Sequence, residues 1–441
     1  MGPFSSDKQL SSIKSMLNEV AGPLDLNVSL KLWNGDVVPL GNNVDGKYTI
    51  SLSGPGVIGS MLRWPTLETL MRLYATGHIN FEGGDLIDFT EAMQATRSAS
   101  SRAKLKSISK VMLAKSTFPF LFSKTEAKVE AGFGDDIVGR TENRRNNTDY
   151  IRFHYDVSNE FYKLFLDKEM QYTCAYFTDW NNTLDQAQQD KMEMICRKLR
   201  LQPGDRMLDI GCGWGGLICY AAKNYGVIAK GITLSKEQHD YAKARIERMG
   251  LTDQASVDIC DYADHQGSYD KVVSVGMSEH IGVKNYPRYF DKINSLLRDR
   301  GVVLNHAIAR RSKKSKRHAA KIRPERKFLL KYIFPGSELT PVGMTTDFME
   351  QSGFEVHDVE SWREHYALTT KYWCKNLSAN EDKAIELVGR ERYRMWVAYL
   401  AGAAGGFTNG SIKLYQVLGT KRASKGVSGM PPTRADLYRA A

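Results

Sequence analysis

From Asn27 the chain alternates: Val28, Leu30 and Leu32 fall on one face, a turn is signalled at Asn34-Gly35, and Val37 and Val38 resume the pattern. A period of two broken by Asn-Gly predicts a β-hairpin. Tyr48, Ile50 and Leu52 predict another half-buried strand. Pro65 then opens a helix whose Leu67, Leu70, Met71 and Tyr74 recur at helical spacing until Gly77 ends it. These elements predict a small α+β domain. Residues 89–123 read as helical and basic, with Leu105, Ile108, Val111 and Met112 set against Lys104, Lys106, Lys110 and Lys115 ahead of the apolar run Phe118-Pro119-Phe120-Leu121-Phe122. Such a segment either packs on the first domain or lies against lipid. Residues 124–149 are charged and lack apolar periodicity, as a linker does. The expected domains are therefore 1–123 and 150–441, joined by 124–149.

Beyond Asp149 the pattern changes. Short apolar runs at 207–210, 227–233, 269–275 and 301–306 alternate with segments of helical length. That alternation predicts an α/β fold, a parallel sheet covered by helices on both faces, with ligands at the carboxyl ends of the strands. The first run breaks into Asp209-Ile210-Gly211-Cys212-Gly213-Trp214-Gly215. Glycine there lets the backbone turn sharply and approach a ligand where a side chain would collide. The G-x-G-x-G spacing is neither the dinucleotide fingerprint nor a phosphate loop, which needs a lysine.

Length and composition narrow the classes. At 441 residues two folded domains are expected. No run of eighteen apolar residues occurs and the first fourteen residues lack an apolar core, so neither a membrane-spanning helix nor a secretory signal is expected. The six cysteines are dispersed without C-x-x-C pairs, which points to a reducing cytoplasm and away from a structural metal. The net charge of +11 is concentrated: residues 310–331 carry eleven Lys or Arg against the single acid Glu325. Such a run is either a solvated loop or a docking surface for anions, whether nucleic-acid phosphates or lipid headgroups.

Candidate chemistry gathers at the strand ends. The second strand ends at Thr233-Leu234 with Gln238 close behind, where many nucleotide folds place an acid, and Asp261-Tyr262 follows. The third ends in Met277-Ser278-Glu279-His280 and the fourth in Asn305-His306-Ala307-Ile308. Upstream stand His154-Tyr155-Asp156-Val157-Ser158-Asn159 and Tyr172-Thr173-Cys174-Ala175-Tyr176-Phe177, placed where a lid over the cleft would lie. Read singly, Cys174 fits a buried thiol, Glu279 a helix-start carboxylate, His306 a core histidine and Tyr366 a packing residue. His280 and the remaining cysteines read as structural.

The D-x-G-x-G turn resembles the first motif of class I S-adenosylmethionine (SAM) methyltransferases. Taken with H-Y-D-x-S-N, Y-T-C-A-Y-F, G-I-T-L-S-x-E-Q, V-G-M-x-E-H-x-G-x-K-N-Y, H-x-I, Y-I-F-P-G and H-Y-A-x-T in that order, the chain resembles bacterial cyclopropane-fatty-acyl-phospholipid synthases over residues 145–420. The resemblance implies a Rossmann-like methyltransferase sheet plus a small lipid-facing amino-terminal domain. It implies transfer of a methylene from SAM to the cis double bond of a phospholipid acyl chain, through a carbocation deprotonated by bound bicarbonate. By resemblance the base is held by Cys174, Glu279, His306, Ile308 and Tyr366. The cofactor is met by Tyr172, Thr173, Asp209, Gly211, Gly213, Gly215, Thr233, Leu234, Gln238, Asp261 and Tyr262, with no metal. The expected setting is cytoplasmic, peripheral on the inner face of an anionic phospholipid bilayer; the expected assembly is a homodimer.

Departures from that family bear on the product. Ser278 stands where an aromatic residue is usual, Asn305 where an apolar one is, and Thr408 follows Phe407 where arginine is common. A serine beside Glu279 is expected to reshape the acyl slot or the fate of the cation, which keeps a methylene- or methyl-branched product in view. A nucleic-acid methyltransferase would account for the SAM turn and the basic run, but no N/D-P-P-Y/F motif is present, and no nucleic-acid partner is expected. A non-catalytic lipid-binding module would not require all five base-holding residue types.

Overall fold

The computed structural model describes residues 4–95, 110–123, 125, 157–312, 324–423 and 426–438. Residues 126–149 of the expected linker, His154-Tyr155-Asp156, and residues 313–323 of the basic run lie outside the described residues, as do 96–109. Packing divides the chain into two compact units: Met1–Gly132 with Ile322–Ile333 and Cys374–Gly402, and Phe133–Lys321 with Phe334–Trp373 and Ala403–Ala441. Two segments that follow the linker in sequence thus belong to the amino-terminal unit.

In the first unit β1 (Ser29–Lys31) pairs antiparallel with β2 (Val37–Pro39), Leu30 opposite Val38, and parallel with β3 (Thr49–Leu52), which pairs antiparallel with β4 (Ile79–Glu82). Val28 and Leu32 are buried, as the alternation requires. The helix Ser6–Leu24, capped by the Ser5 side chain, brings Ile13, Leu17 and Val20 onto Leu32, Val38, Leu40 and Phe120. Leu67–Ala75 forms the helix that Pro65 signalled, with Thr66 accepting from the Thr69 N–H. Late segments join this unit through specific contacts: Lys331 pairs with Glu68 at 2.7 Å, Lys375 with Asp88 at 3.4 Å, and Arg394 donates to the Tyr74 carbonyl at 2.9 Å. The end of the basic run is therefore the packed helix Pro324–Tyr332.

The second unit is built on a seven-stranded sheet. Its strands are β5 (Arg206–Ile210), β6 (Ile228–Thr233), β7 (Ala255–Ile259), β8 (Tyr269–Val275), β9 (Leu297–Arg310), β10 (Phe354–Ser361) and β11 (Ile412–Lys421), in the order β10-β11-β9-β8-β5-β6-β7. Pairs from β7 to β9 are parallel; β11 runs antiparallel to both β9 and β10. Alternate residues serve opposite faces. Met207, Val273, Val302 and Leu304 pack with Ile195, Leu199 and Ile218, while Leu208, Ile210, Val272 and Val303 pack with Tyr289, Phe290 and Ile293. Sheets buried on both faces read as continuous apolar runs, which is why β5, β6, β8 and β9 were legible.

Candidate active site

The three glycines after β5 have positive φ, at +81°, +55° and +78° for Gly211, Gly213 and Gly215. Their surroundings give each a different reason. The Gly211 and Cys212 N–H groups donate to the Ile232 carbonyl at 2.9 and 3.1 Å, tying the turn to β6. A Cβ on Gly215 would meet the Ala242 Cβ at 2.9 Å, so this glycine serves helix packing. A Cβ on Gly213 would meet none of the described residues within 4 Å, and Gly213 lines the cleft.

That cleft is lined by Tyr172, Thr173, Asp209, Gly211, Gly213, Thr233, Leu234, Gln238 and Tyr262. Gly215 and Asp261 do not line it; the Asp261 carboxylate accepts from the Ala263 N–H at 2.8 Å within its own turn. Thr233 donates to Gln238 Oε1 at 2.8 Å, which leaves the Gln238 amide nitrogen to donate elsewhere. Sequence reasoning missed Lys191, Trp214 and Met277, which also line the cleft, and it set His280 aside as structural. Lys191 donates to Gln171 Oε1 at 2.5 Å and Thr173 Oγ1 at 2.9 Å. Burial pushes its ammonium down to about 8 and the Asp209 carboxyl up to about 7. Among the described residues Asp209 Oδ1 is buried without a partner. The signal for Lys191 was available: helical spacing places it beside Ala187, Gln188 and Ile195, and a lysine on a buried helix face needs a polar partner.

Next to this cleft the five residues expected to hold a base are drawn together. His306 and Ile308 lie on β9, two residues apart and so on one face, and Glu279 Oε1 accepts from the Ile308 N–H at 2.6 Å. Cys174 Sγ lies 3.2 Å from the Ala175 carbonyl and 3.7 Å from the Trp362 carbonyl, and the Tyr366 N–H donates to the latter at 3.0 Å. The Trp362 ring meets the His306 ring edge-on, centroids 5.5 Å apart. Trp362 is thus the hub of the group. Among the described residues three buried atoms in it have no hydrogen-bond partner, Glu279 Oε2, His306 Nε2 and the hub's own Trp362 Nε1, the first two belonging to residues expected to hold the base. Burial raises the Glu279 carboxyl to about 7 and, with the charges of Lys191 and Lys198, holds His306 well below its ordinary range. Burial also pushes the Cys174 thiol well up, so it stands here as a neutral thiol. The His306 carbonyl accepts from Gly276 N–H at 2.8 Å, which couples this pocket to the cleft wall.

Residues 142–417 match the family described as mycolic acid cyclopropane synthetase. The chain belongs to that family. A probable fatty acid methyltransferase of Pseudomonas putida is 39% identical, over 94% of this chain and 97% of its own length. The cyclopropane-fatty-acyl-phospholipid synthase of Escherichia coli K12 is 38% identical over 62% and 68% respectively. Among solved structures, the mycolic acid cyclopropane synthase CmaA1 complexed with SAH and CTAB superposes with a TM-score of 0.60 at 33% identity, covering 64% of this chain and all of its own. This member of the cyclopropane synthetase family is a SAM-dependent methyltransferase.

Two of its departures from the family pattern prove to be partners. Ser278 donates to Asn305 Oδ1 at 2.7 Å, both side chains buried. Asn305 neighbours His306 on β9 and so faces the other side of the sheet, while the Tyr286 hydroxyl donates to the Ser278 carbonyl at 3.2 Å. The Ser278 hydroxyl therefore anchors the turn that carries Glu279. Ser278→Ala leaves a buried amide oxygen unpaired and is expected to lower unfolding stability by about 1–3 kcal/mol in urea titration, with SAM affinity unchanged. Equal stability of the two proteins would show that the pair carries no weight.

Proposed function

We propose that this protein transfers a methylene from SAM to the cis double bond of an unsaturated acyl chain in a membrane phospholipid, yielding a cyclopropane ring. SAM supplies a methyl group on a sulfonium, electrophilic enough for an alkene. The observation that carries the reading is the pair of buried, unpartnered atoms Glu279 Oε2 and His306 Nε2, each on a side chain whose other polar atom is fixed. Buried polar atoms call for a hydrogen-bonding partner, whether an ordered water or a bound ion. An oxyanion fits both, since a Glu279 carboxyl raised to about 7 retains a proton to donate near neutrality. Bicarbonate held there by Cys174, Glu279, His306, Ile308 and Tyr366 would supply the base. Aromatic faces able to stabilise a cation stand around it: Tyr176 stacks on Trp362 at 4.6 Å, and Tyr366 on Phe407 at 4.4 Å. Incubation with SAM and vesicles of cis-unsaturated phosphatidylglycerol, followed by gas chromatography and mass spectrometry of the released acyl chains, tests this. A chain heavier by one methylene and resistant to hydrogenation is expected; unaltered chains would refute it.

A second reading is favoured by the relative matched over nearly the full length, which is called a probable fatty acid methyltransferase. The same cation, losing a proton from the neighbouring carbon, leaves a methyl-branched alkene, and after a hydride shift, losing one from the transferred methyl, leaves a methylene branch; each retains a carbon–carbon double bond. Reduction of the product by hydrogenation would select it.

Peripheral attachment to an anionic bilayer is part of the proposal. Among the described residues no helix is long and apolar enough to cross a membrane. On the first unit Phe118, Leu121 and Phe122 are 51%, 41% and 54% exposed, and the rings of Phe4, Phe118 and Phe122 lie within 6.5 Å of one another with Lys8 over Phe4. Exposed aromatics with basic neighbours suit the headgroup boundary. The basic run adds attraction that salt screens over about 8 Å at physiological ionic strength. Replacing Lys313, Lys314, Lys316 and Arg317 by Ser is expected to weaken sedimentation with anionic vesicles at low salt while sparing SAM binding. Equal binding to anionic and zwitterionic vesicles, indifferent to salt, would remove the run from membrane attachment.

A further inference from the structure

His306 and Gln416 are opposite one another in the ladder of β9 and β11, and Gln416 Nε2 lies 3.0 Å from His306 Nδ1. The other end of that amide meets a group of fixed polarity. Lys198 Nζ is 2.7 Å from Gln416 Oε1 and forms an ion pair with Glu360. An ammonium only donates, so the amide oxygen must face Lys198 and the NH2 must face the imidazole. An amide nitrogen also only donates. Nδ1 is therefore the acceptor, and in a neutral ring the single proton sits on Nε2. That is the nitrogen left buried and unpartnered. Lys198 is itself immobilised, buried with its ammonium 5.2 Å from the centre of the Trp362 ring, whose edge contacts His306.

We propose that Glu360, Lys198 and Gln416 form a positioning relay that locks His306 as the Nε2–H tautomer, so that the base-holding pocket is offered a donor and not a lone pair. The inference rests on the reading of His306 as a pocket residue given above. None of the three relay residues touches the reacting atoms. Their action is on the proton of His306: with Nε2–H a bound oxyanion gains a hydrogen bond, and with Nδ1–H it would face a second lone pair.

The test is nitrogen NMR of the full-length protein labelled at the histidine rings, with the His306 signals assigned by their loss in His306→Asn. In the unsubstituted protein a protonated Nε2 and an unprotonated Nδ1 are expected near neutral pH; an Nδ1–H ring or an imidazolium would overturn the proposal, whatever the variants do. Gln416→Glu offers Nδ1 an acceptor and is expected to draw the proton there, and Lys198→Met frees the amide to turn and mixes the tautomers. Both should lower turnover about tenfold or more with SAM affinity kept, and Lys198→Arg, which still only donates, should restore tautomer and turnover. Loss of turnover with the tautomer unchanged in both variants would reduce the three residues to structural supports and overturn the relay. A shifted tautomer with full turnover would leave the relay standing and overturn the reading of His306 as a holder of the base.

Discussion

Glu279→Gln is expected to lower turnover by about 10²–10⁴-fold while SAM affinity stays within about twofold. The amide keeps the acceptor that meets the Ile308 N–H at 2.6 Å, so the turn should stay folded. What it loses is the carboxyl atom without a partner, the one free to hold a base. The substitution also has a signature in stability. The carboxyl titrates near 4.5 in the unfolded chain and, raised by burial, at about 7 in the folded one. Between those values the folded state holds a proton that the unfolded state has released. The stability this contributes is complete below 4.5 and is lost as pH rises through 7, with an upper limit on the order of 3 kcal/mol. Glutamine does not titrate, so thermal melts of the two proteins should diverge in favour of the variant from pH 5 to pH 8.5. Parallel melts would place the Glu279 carboxyl in contact with solvent, and unchanged turnover would remove it from the chemistry.

The second large effect is expected at Gly213. Its φ of +55° disfavours any branched residue by about 1–2 kcal/mol, and it lines the cleft, where a Cβ would meet none of the described residues within 4 Å. Gly213→Val should therefore reduce SAM affinity by at least about a hundredfold in calorimetry, with the fold retained. Gly215→Ala is the matching control. Its Cβ would meet Ala242 at 2.9 Å, so it should lower the melting temperature more than it weakens SAM binding. If Gly213→Val bound SAM normally, the turn would be a strand-to-helix connection and nothing more.

The parts of the molecule that were legible in the sequence are those where one physical demand dominates. Met207, Leu208 and Ile210 had to be apolar because β5 is covered on both faces, and the glycines after it show that backbone there must turn or approach a ligand. The strands missed in the second unit were β7, β10 and β11, and in the first β4. β7 and β10 lie at the sheet edges, where partial exposure erodes the apolar run. β11 is buried but carries Gln416, Gly419 and Thr420, and Gln416 is polar because it holds His306. Chemistry at the site thus concealed the strand that supports it. Lys191 and Lys198 could have been found by helical spacing, since both fall on the buried face of Leu184–Leu199. Trp362 could not: it gathers Cys174 and Tyr366 through its backbone carbonyl, which no side-chain pattern announces. Ser278 and Asn305 stood out as separate departures, and only the register of β9 against the turn after β8 shows them to be a hydrogen-bonded pair.

The central claim, that a cation formed on the acyl chain closes to a ring by losing a proton from the transferred carbon, is tested most directly with SAM carrying a fully deuterated methyl group. Purified protein, bicarbonate and vesicles of cis-unsaturated phospholipid should yield acyl chains that retain two of the three deuterons and show, in deuterium NMR, the upfield resonance of a cyclopropane ring methylene, with formation slowed in bicarbonate-depleted buffer and restored on its return. Chains that keep all three deuterons, or no transfer of label to acyl chains at all, would contradict it.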